Sequence, residues 1–405
     1  MNLRWLIPFF DTSAKGWSLE ARTLRWLTFV WLFIGLAAVF SASYAVADAE
    51  VNDGLYYFKQ QIIWILLGMV AFNFLVHFPL KFIAGVAHWI LLIVLACILV
   101  TLVPGVGVLV NGSTRWLYVG PIPIQPSELI KPFLVLQSAR IFSQWDRLSW
   151  GVRLTWLGIF LAVVAGILLQ PNLSTASLCG MMLWLIALAA GLPYIQLGST
   201  ALAGLVLATL SVSLRSYQRK RIMSFLNPWS DTTGDGYQLV QSLLAIGSGG
   251  WLGNGFGLSQ QKLFYLPIQY TDFIFAVFAE EFGLVGGLVL LSMLAVYGTL
   301  ALRVALKAQT SLHRLVAIGI MVLMVGQSLL NIGVAAGALP TTGLPFPLLS
   351  YGGSSMISSL MAAGLLIRVA RESSEANVVS LDEHRRSTQT AKTSPRRPGW
   401  PRRAT

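Results

Sequence analysis

The residue best placed to do chemistry is Asp272, in the run Tyr265-Leu-Pro-Ile-Gln-Tyr-Thr-Asp-Phe-Ile-Phe275. A polar stretch ends here and an apolar one begins, so the carboxylate falls at a membrane boundary. Desolvating a charge there is costly, and an acid kept in such a place reads first as functional. Earlier in the same loop stand Arg215, Arg219, Lys220 and Arg221, cations suited to phosphate oxygens. One carboxylate that accepts a proton and one patch that holds a departing diphosphate would suffice for group transfer from a lipid diphosphate. That leaving group needs fixed positive charge rather than a proton. A glycosidase needs a second carboxyl because its leaving group is a poor alkoxide.

Other polar groups are weighed against plainer roles. Glu128 and Lys131 are three apart and share a helix face; they form either a structural ion pair in the membrane or a site that orients substrate. Glu280 and Glu281 lie about 12–13 Å beyond Asp272 along an ideal helix. They are too distant for a dyad and are expected to bond inside the protein. Cys97 and Cys179 sit in apolar runs as small core residues, and offer neither a disulfide framework nor metal spacing. The histidines at 77, 88, 313 and 384 are scattered, which argues against a histidine metal centre. A divalent cation, Mg or Mn, could assist a diphosphate, but the loops contain no recognisable cage for one. The glycines at 247, 249, 250, 253, 255 and 257 lack the strand–glycine–helix order of a nucleotide loop.

The elements that must position these residues are membrane helices. Hydrophobic residues make up 56% of the chain, charged residues 11%, and mean hydropathy is +0.70. Soluble domains carry about 25% charged residues. The expected fold is all-α, a polytopic membrane protein with about ten transmembrane helices and a large extracytoplasmic loop between helices 7 and 8. A span needs about 20 apolar residues, which places helices near 26–47, 60–77, 83–103, 125–142, 154–170, 173–191, 198–214, 272–300, 315–336 and 351–370. The first apolar run is too long and too late for a cleavable signal peptide. Three regions follow: a cytoplasmic N-terminal segment 1–25, a membrane domain 26–371 and a disordered basic cytoplasmic tail 372–405. The tail is a topology signal that touches anionic lipid or a protein-docking segment. No folded basic domain is present to bind nucleic acid.

With both termini cytoplasmic, the connections carrying Lys81, Arg140/Arg147/Arg153 and Arg303/Lys307/Arg314 face the cytoplasm, as the positive-inside rule requires. The cluster from Arg215 to Arg221 then lies outside, against that rule, and binding an anion is the simplest reason. No internal repeat is visible, which argues against an inverted-repeat transporter.

A series of polar motifs fills the outer loops. In order they are Asn111-Gly-Ser-Thr-Arg-Trp116, Gln125-Pro-Ser-Glu-Leu-Ile-Lys131, Gln170-Pro-Asn-Leu-Ser-Thr175, Phe225-Leu-Asn-Pro-Trp-Ser230, Gly236-Tyr-Gln-Leu-Val-Gln-Ser242, the TDFIF run at Asp272, Asn331-Ile-Gly-Val, Pro340-Thr-Thr-Gly-Leu-Pro345 and Ser350-Tyr-Gly-Gly-Ser-Ser355. In this order they resemble the SEDS family (shape, elongation, division and sporulation; the FtsW/RodA/SpoVE proteins) over roughly residues 26–371. Ser41-Ala-Ser-Tyr44 and TDFIF look closer to its division branch, FtsW. The resemblance implies a peptidoglycan glycosyltransferase that polymerises glycan strands from lipid II with release of undecaprenyl diphosphate. It also implies a class B penicillin-binding protein and other divisome proteins as partners, and the septal inner membrane as location. It makes Asp272 the catalytic acid of TDFIF and Arg115 and Trp116 the family's Arg-Trp pair. Gln125 to Lys131, with Glu128, match its QPSE-and-Lys helix. Trp116 would stack on a sugar or anchor at the interface. Three departures stand out: Ile268 where the family has Glu, Tyr270 where it has His, and Asn172 where it has Asp. They leave Asp272 the only acid of its loop segment. Two rival functions remain at this point, a lipid II flippase and a non-catalytic activator or scaffold of the penicillin-binding protein.

Overall fold

The computed structural model describes residues 14, 16–110, 113–120, 122–234 and 236–393; at 109, 110, 113, 119 and 375–393 it describes the backbone alone. The chain opens with three long helices, α1 (Leu19–Val51), α2 (Tyr56–His77) and α3 (Leu80–Val100). A small antiparallel sheet follows: β1 (Val108–Val110), β2 (Ser113–Val119) and β3 (Ile122–Ile124), with Val108 opposite Trp116 and Leu117 opposite Ile124. Then come α4 (Pro126–Phe142), α5 (Trp150–Leu169), α6 (Leu173–Ala190) and α7 (Tyr194–Leu214). The long loop contains α8 (Ser216–Leu226) and α9 (Tyr237–Ser248). The chain closes with α10 (Ile274–Lys307), α11 (Ser311–Met321), α12 (Gln327–Ala335) and α13 (Gly353–Thr393).

Local chemistry sets many of the helix ends. Ser18, Asn172 and Thr310 cap α1, α6 and α11 by accepting from the amides of Ala21, Thr175 and His313, each satisfying an orphan donor of the first turn. Pro126 opens α4, where its missing N–H costs nothing.

Among the described residues, nine helices are long and apolar enough to cross a membrane, with α11 and α12 counted as one run across a π-turn at Val322–Gly326. The expected span at 125–142 is α4, which has 17 residues and stands at the short limit for crossing. It carries Glu128 and Lys131 because it is buried on nearly every side, against α3, α6, α11 and α13. The chain is a multi-pass membrane protein. α13 is almost wholly buried over Gly353–Ser374, whereas α7 is largely exposed along its apolar length, as a lipid-facing helix must be. Trp31 of α1 packs edge-on against Tyr297 of α10 and Phe346, tying the first helix to the later ones.

Two differences from the expected layout matter. The helix after Asp272 is not continuous. Gly283 has φ 64° and ψ −166° and breaks α10. The glycine-rich segment 249–255 docks into that break. The amides of Asn254 and Gly255 donate to the carbonyls of Glu280 and Glu281, and those of Leu284 and Val285 donate to Gly250 and Trp251. A broken membrane helix is tolerated when protein satisfies the freed backbone groups. The approach is so close that a Cβ on Gly283 would stand 2.3 Å from the Gly253 nitrogen. The second difference is at the C-terminus. The backbone stays helical to Thr393, past Arg371 where the membrane domain was expected to end. Residues 394–405 of the expected tail lie outside the described residues.

Candidate active site

Asp272 sits two residues before α10, on a segment fastened by three successive carbonyls. The Tyr351 amide donates to Tyr270 O (2.9 Å), Ser350 Oγ to Thr271 O (2.6 Å) and Asn331 Nδ2 to Asp272 O (2.7 Å). The backbone is therefore fixed while the side chain is left free. Among the described residues the Asp272 carboxylate takes part in no hydrogen bond. Its Oδ2 stands 3.5 Å from where a Cβ on Gly343 would lie.

Gly343 belongs to the wall of a cavity of about 310 Å³. Arg115 from β2, Arg221 and Tyr217 from α8, and Asn172 from the start of α6 bring polar groups to it. Leu178, Met181, Val212 and Val334 supply apolar wall. The Thr342 hydroxyl in this wall is buried and unpartnered. A polar group left so is open to a ligand or water.

Electrostatics single out the same groups. Burial pushes the Asp272 carboxyl up to about 6; Arg221 and then Arg115 hold it back, and Glu128 adds a small push upward. Burial draws the Arg115 guanidinium down from its usual value, while Tyr217 and Asp272 oppose this. A carboxylate with a pKa near neutrality is a serviceable general base. Two guanidiniums within its field suit an anion that arrives beside it.

The sequence matches the family described as "Cell cycle protein", the FtsW/RodA/SpoVE family, over residues 22–375. The chain belongs to the FtsW/RodA/SpoVE family. It is 58% identical over 379 residues to the "Probable peptidoglycan glycosyltransferase FtsW" of Synechocystis sp., covering 94% of this chain and 96% of that one. It is 38% identical to the "Stage V sporulation protein E" of Bacillus subtilis, covering 86% and 96%. Among solved structures it resembles a chain from work on "Structural coordination of polymerization and crosslinking by a peptidoglycan synthase complex", with TM-score 0.71, 29% identity and coverage of 88% and 98%. It also resembles the rod shape determining protein RodA of Thermus thermophilus, with TM-score 0.64, 28% identity and coverage of 88% and 97%.

Within this FtsW/RodA/SpoVE frame the remaining sequence candidates take separate places. Arg115 is held by Gln170 O (3.1 Å) and Pro171 O (2.6 Å). Arg221 donates to Thr341 O (3.1 Å) and to the Tyr217 hydroxyl, and its guanidinium lies over the Tyr217 ring. Arg215 turns the other way, to Leu168 O (2.9 Å). Arg219 and Lys220 are exposed and do not line the cavity. Arg215 precedes α8, and Arg219, Lys220 and Arg221 follow one another around the helix, so that of these three Arg221 alone reaches the cavity. Trp116 is half-buried in β2, paired with Val108 and away from the cavity lining. Glu128 and Lys131 form a buried pair at 2.7 Å, and Lys131 Nζ also reaches Gln327 Oε1 at 3.1 Å. Among the described residues no cluster of three or more His, Cys, Asp or Glu could hold a metal ion.

Five residues of the Pro340–Pro345 motif, 340–344, also line the cavity. Its Pro-Thr-Thr-Gly text carries no charge, and nothing in the sequence signals that Gly343 meets Asp272. Lys262 also escaped the sequence reading. It is a buried lysine that bonds Glu281 (2.7 Å) and Ser41 (2.8 Å), and nothing near it in sequence signals that partner.

Proposed function

We propose that this chain, a peptidoglycan glycosyltransferase of the FtsW type, polymerises glycan strands from lipid II with Asp272 as the proton acceptor. The observation that carries the reading is one partly buried carboxylate with no hydrogen bond of its own, beside a cavity that presents two arginines and an apolar wall. The apolar wall suits the lipid, and the arginines suit the diphosphate that joins lipid to sugar.

In the step, a sugar hydroxyl oxygen of the acceptor attacks the anomeric carbon of a lipid-diphosphate-linked sugar. The new C–O bond forms as the bond to the diphosphate oxygen breaks. The hydroxyl proton passes to the Asp272 carboxylate. The diphosphate leaves with the bonding electron pair, and Arg115 and Arg221 stabilise its charge. General-base assistance is worth about 10²–10⁴ in rate. The Tyr351 amide, the Ser350 hydroxyl and the Asn331 side-chain amide, which pin the carbonyls of 270–272, keep the base in place, and orientation of this kind contributes as much again.

The reading extends to the setting. The site side of the bundle faces outward and both termini are cytoplasmic, in keeping with the positive-inside placement of the other connections. A class B penicillin-binding protein cross-links the product, and the complex works with other divisome proteins at the septum. The synthase complex named for the similar solved structure supports the first of these, and the FtsW relatives support the second.

The test is conversion of purified lipid II into glycan polymer by the full chain with its penicillin-binding partner. The wild type is expected to give a ladder of polymer and Asp272→Ala none, with partner binding retained. Wild-type polymer from Asp272→Ala would remove the reading. Movement of lipid II across vesicles without polymer would favour a flippase.

A further inference from the structure

We propose that Asn331 and Gln327 are positioning residues that set the Asp272 carboxylate against the cavity wall, and that the buried Lys131–Glu128 pair acts on the reaction through Gln327. This rests on Asp272 being the proton acceptor.

Asn331 is 1% exposed and sits on α12. Its Nδ2 donates to Asp272 O at 2.7 Å and to Leu344 O at 2.9 Å. Those two carbonyls belong to different segments: one bears the carboxylate, and the other adjoins Gly343, against which that carboxylate rests. Asn331 Oδ1 is buried with no partner, so what this amide does is donate. A single side chain thus fixes the spacing between base and wall.

Gln327 lies one turn earlier, on the same face of α12, and is 2% exposed. Its Nε2 donates to Pro345 O at 2.6 Å, and its Oε1 accepts from Lys131 Nζ at 3.1 Å. Lys131 is in turn bonded to Glu128 at 2.7 Å. Hydrogen bonds therefore link the ion pair on α4 through Gln327 to Pro345 O, the covalent backbone joins Pro345 to the wall residue Leu344, and Asn331 links Leu344 O to Asp272 O. The π-turn Val322–Gly326 directly precedes both amides, and such turns are frequent at functional sites. The charged groups that act on Asp272 are Arg115 of β2, Arg221 of α8 and Glu128 of α4; α12 and residues 337–349 carry none. A shift of the carboxylate relative to those three charges changes its proton affinity as well as its aim.

The experiment uses the full chain with its penicillin-binding partner, purified lipid II as substrate, and the variants Asn331→Leu, Asn331→Asp, Gln327→Met and Lys131→Met. Misplacing a catalytic group by about 1 Å costs roughly 10²-fold. Both Asn331 variants are therefore expected to lower kcat by about 10- to 100-fold while KM for lipid II changes little, and to move the acid limb of the pH–rate profile. Gln327→Met is expected to do the same to a smaller degree. Gln327→Met combined with Lys131→Met should be no slower than the slower single variant, because both act along one path. Wild-type kcat in folded Asn331→Asp would overturn the proposal. So would a lowered rate with an unmoved pH profile, or multiplicative losses in the double variant. If Asn331→Leu fails to fold, Asn331→Asp and Gln327→Met decide the matter. An active Asp272→Ala overturns both this proposal and the reading beneath it; an inactive Asp272→Ala with unimpaired Asn331 variants overturns this proposal alone.

Discussion

Within ten residues the chain places three carboxylates in two opposite conditions. Glu280 is saturated: Ser259 Oγ donates at 2.5 Å, the Gln260 amide at 2.9 Å and the Gln261 amide at 3.3 Å. Glu281 is paired with Lys262 at 2.7 Å and receives Ser41 at 2.5 Å. Both are buried, and both tie the loop before α10 to the helix just ahead of the break at Gly283, Glu281 also reaching Ser41 of α1. Asp272 has no such bonds, and its neighbours are two guanidiniums held by backbone carbonyls. A buried acid with its lone pairs filled holds a fold together. A partly buried acid with its lone pairs empty and its backbone fixed is ready to take a proton. Mutations should separate these two roles cleanly.

The largest contrast is expected at Asp272. Asp272→Asn should lower polymerisation by about 10²–10⁴-fold and leave thermal unfolding nearly unchanged, because no bond to the side chain is lost. Glu281→Leu should do the reverse to stability. It strands the Lys262 charge in a buried place, which costs about 3–5 kcal/mol, and replacing both partners by Lys262→Met with Glu281→Leu should recover much of the loss in a denaturation series. Gly283→Ala comes next. A side chain at φ 64° that also meets the Gly253 backbone would cost about 1–3 kcal/mol; protease sensitivity of the 249–255 segment is the simplest readout. The smallest effect is expected from Gly343→Ala, whose Cβ would meet Asp272 Oδ2 at 3.5 Å, an ordinary contact. Its rate should fall only slightly, and a large drop would show that the carboxylate needs more room than the structure gives it.

These contrasts also show what the sequence could reveal. Asp272 was legible because a lone acid at a polar-to-apolar boundary is costly wherever it points, and Arg115 was legible from its motif. The ion pairing of Glu128 with Lys131 followed from their spacing. Position ranks Arg221 next after Arg115 as a partner for the diphosphate, and of the four loop cations it is the one that lines the cavity, although a dense cation run does not by itself disclose which face of α8 turns inward. The break in α10 was hidden for a different reason. Apart from Glu280 and Glu281, the residues from Phe273 to Leu300 are almost all apolar or small, so the pattern reads as one span, and the glycines that enter the break lie some thirty residues earlier. Long-range pairings such as Lys262 with Glu281 and Ser41, or Asn331 with Asp272, leave no periodic trace in the sequence at all.

The central claim, that Asp272 works as an ionised base, is tested most directly by the pH dependence of the polymerisation rate. Burial sets the carboxyl near 6 and the two arginines hold it there. The rate is therefore predicted to rise with pH through a single deprotonation near that value and level off above it. Arg221→Met, which removes the larger of the two influences that lower the pKa, should move that midpoint upward. A wild-type rate that is flat from about pH 5 to about pH 8, or a midpoint that Arg221→Met leaves in place, would contradict the account.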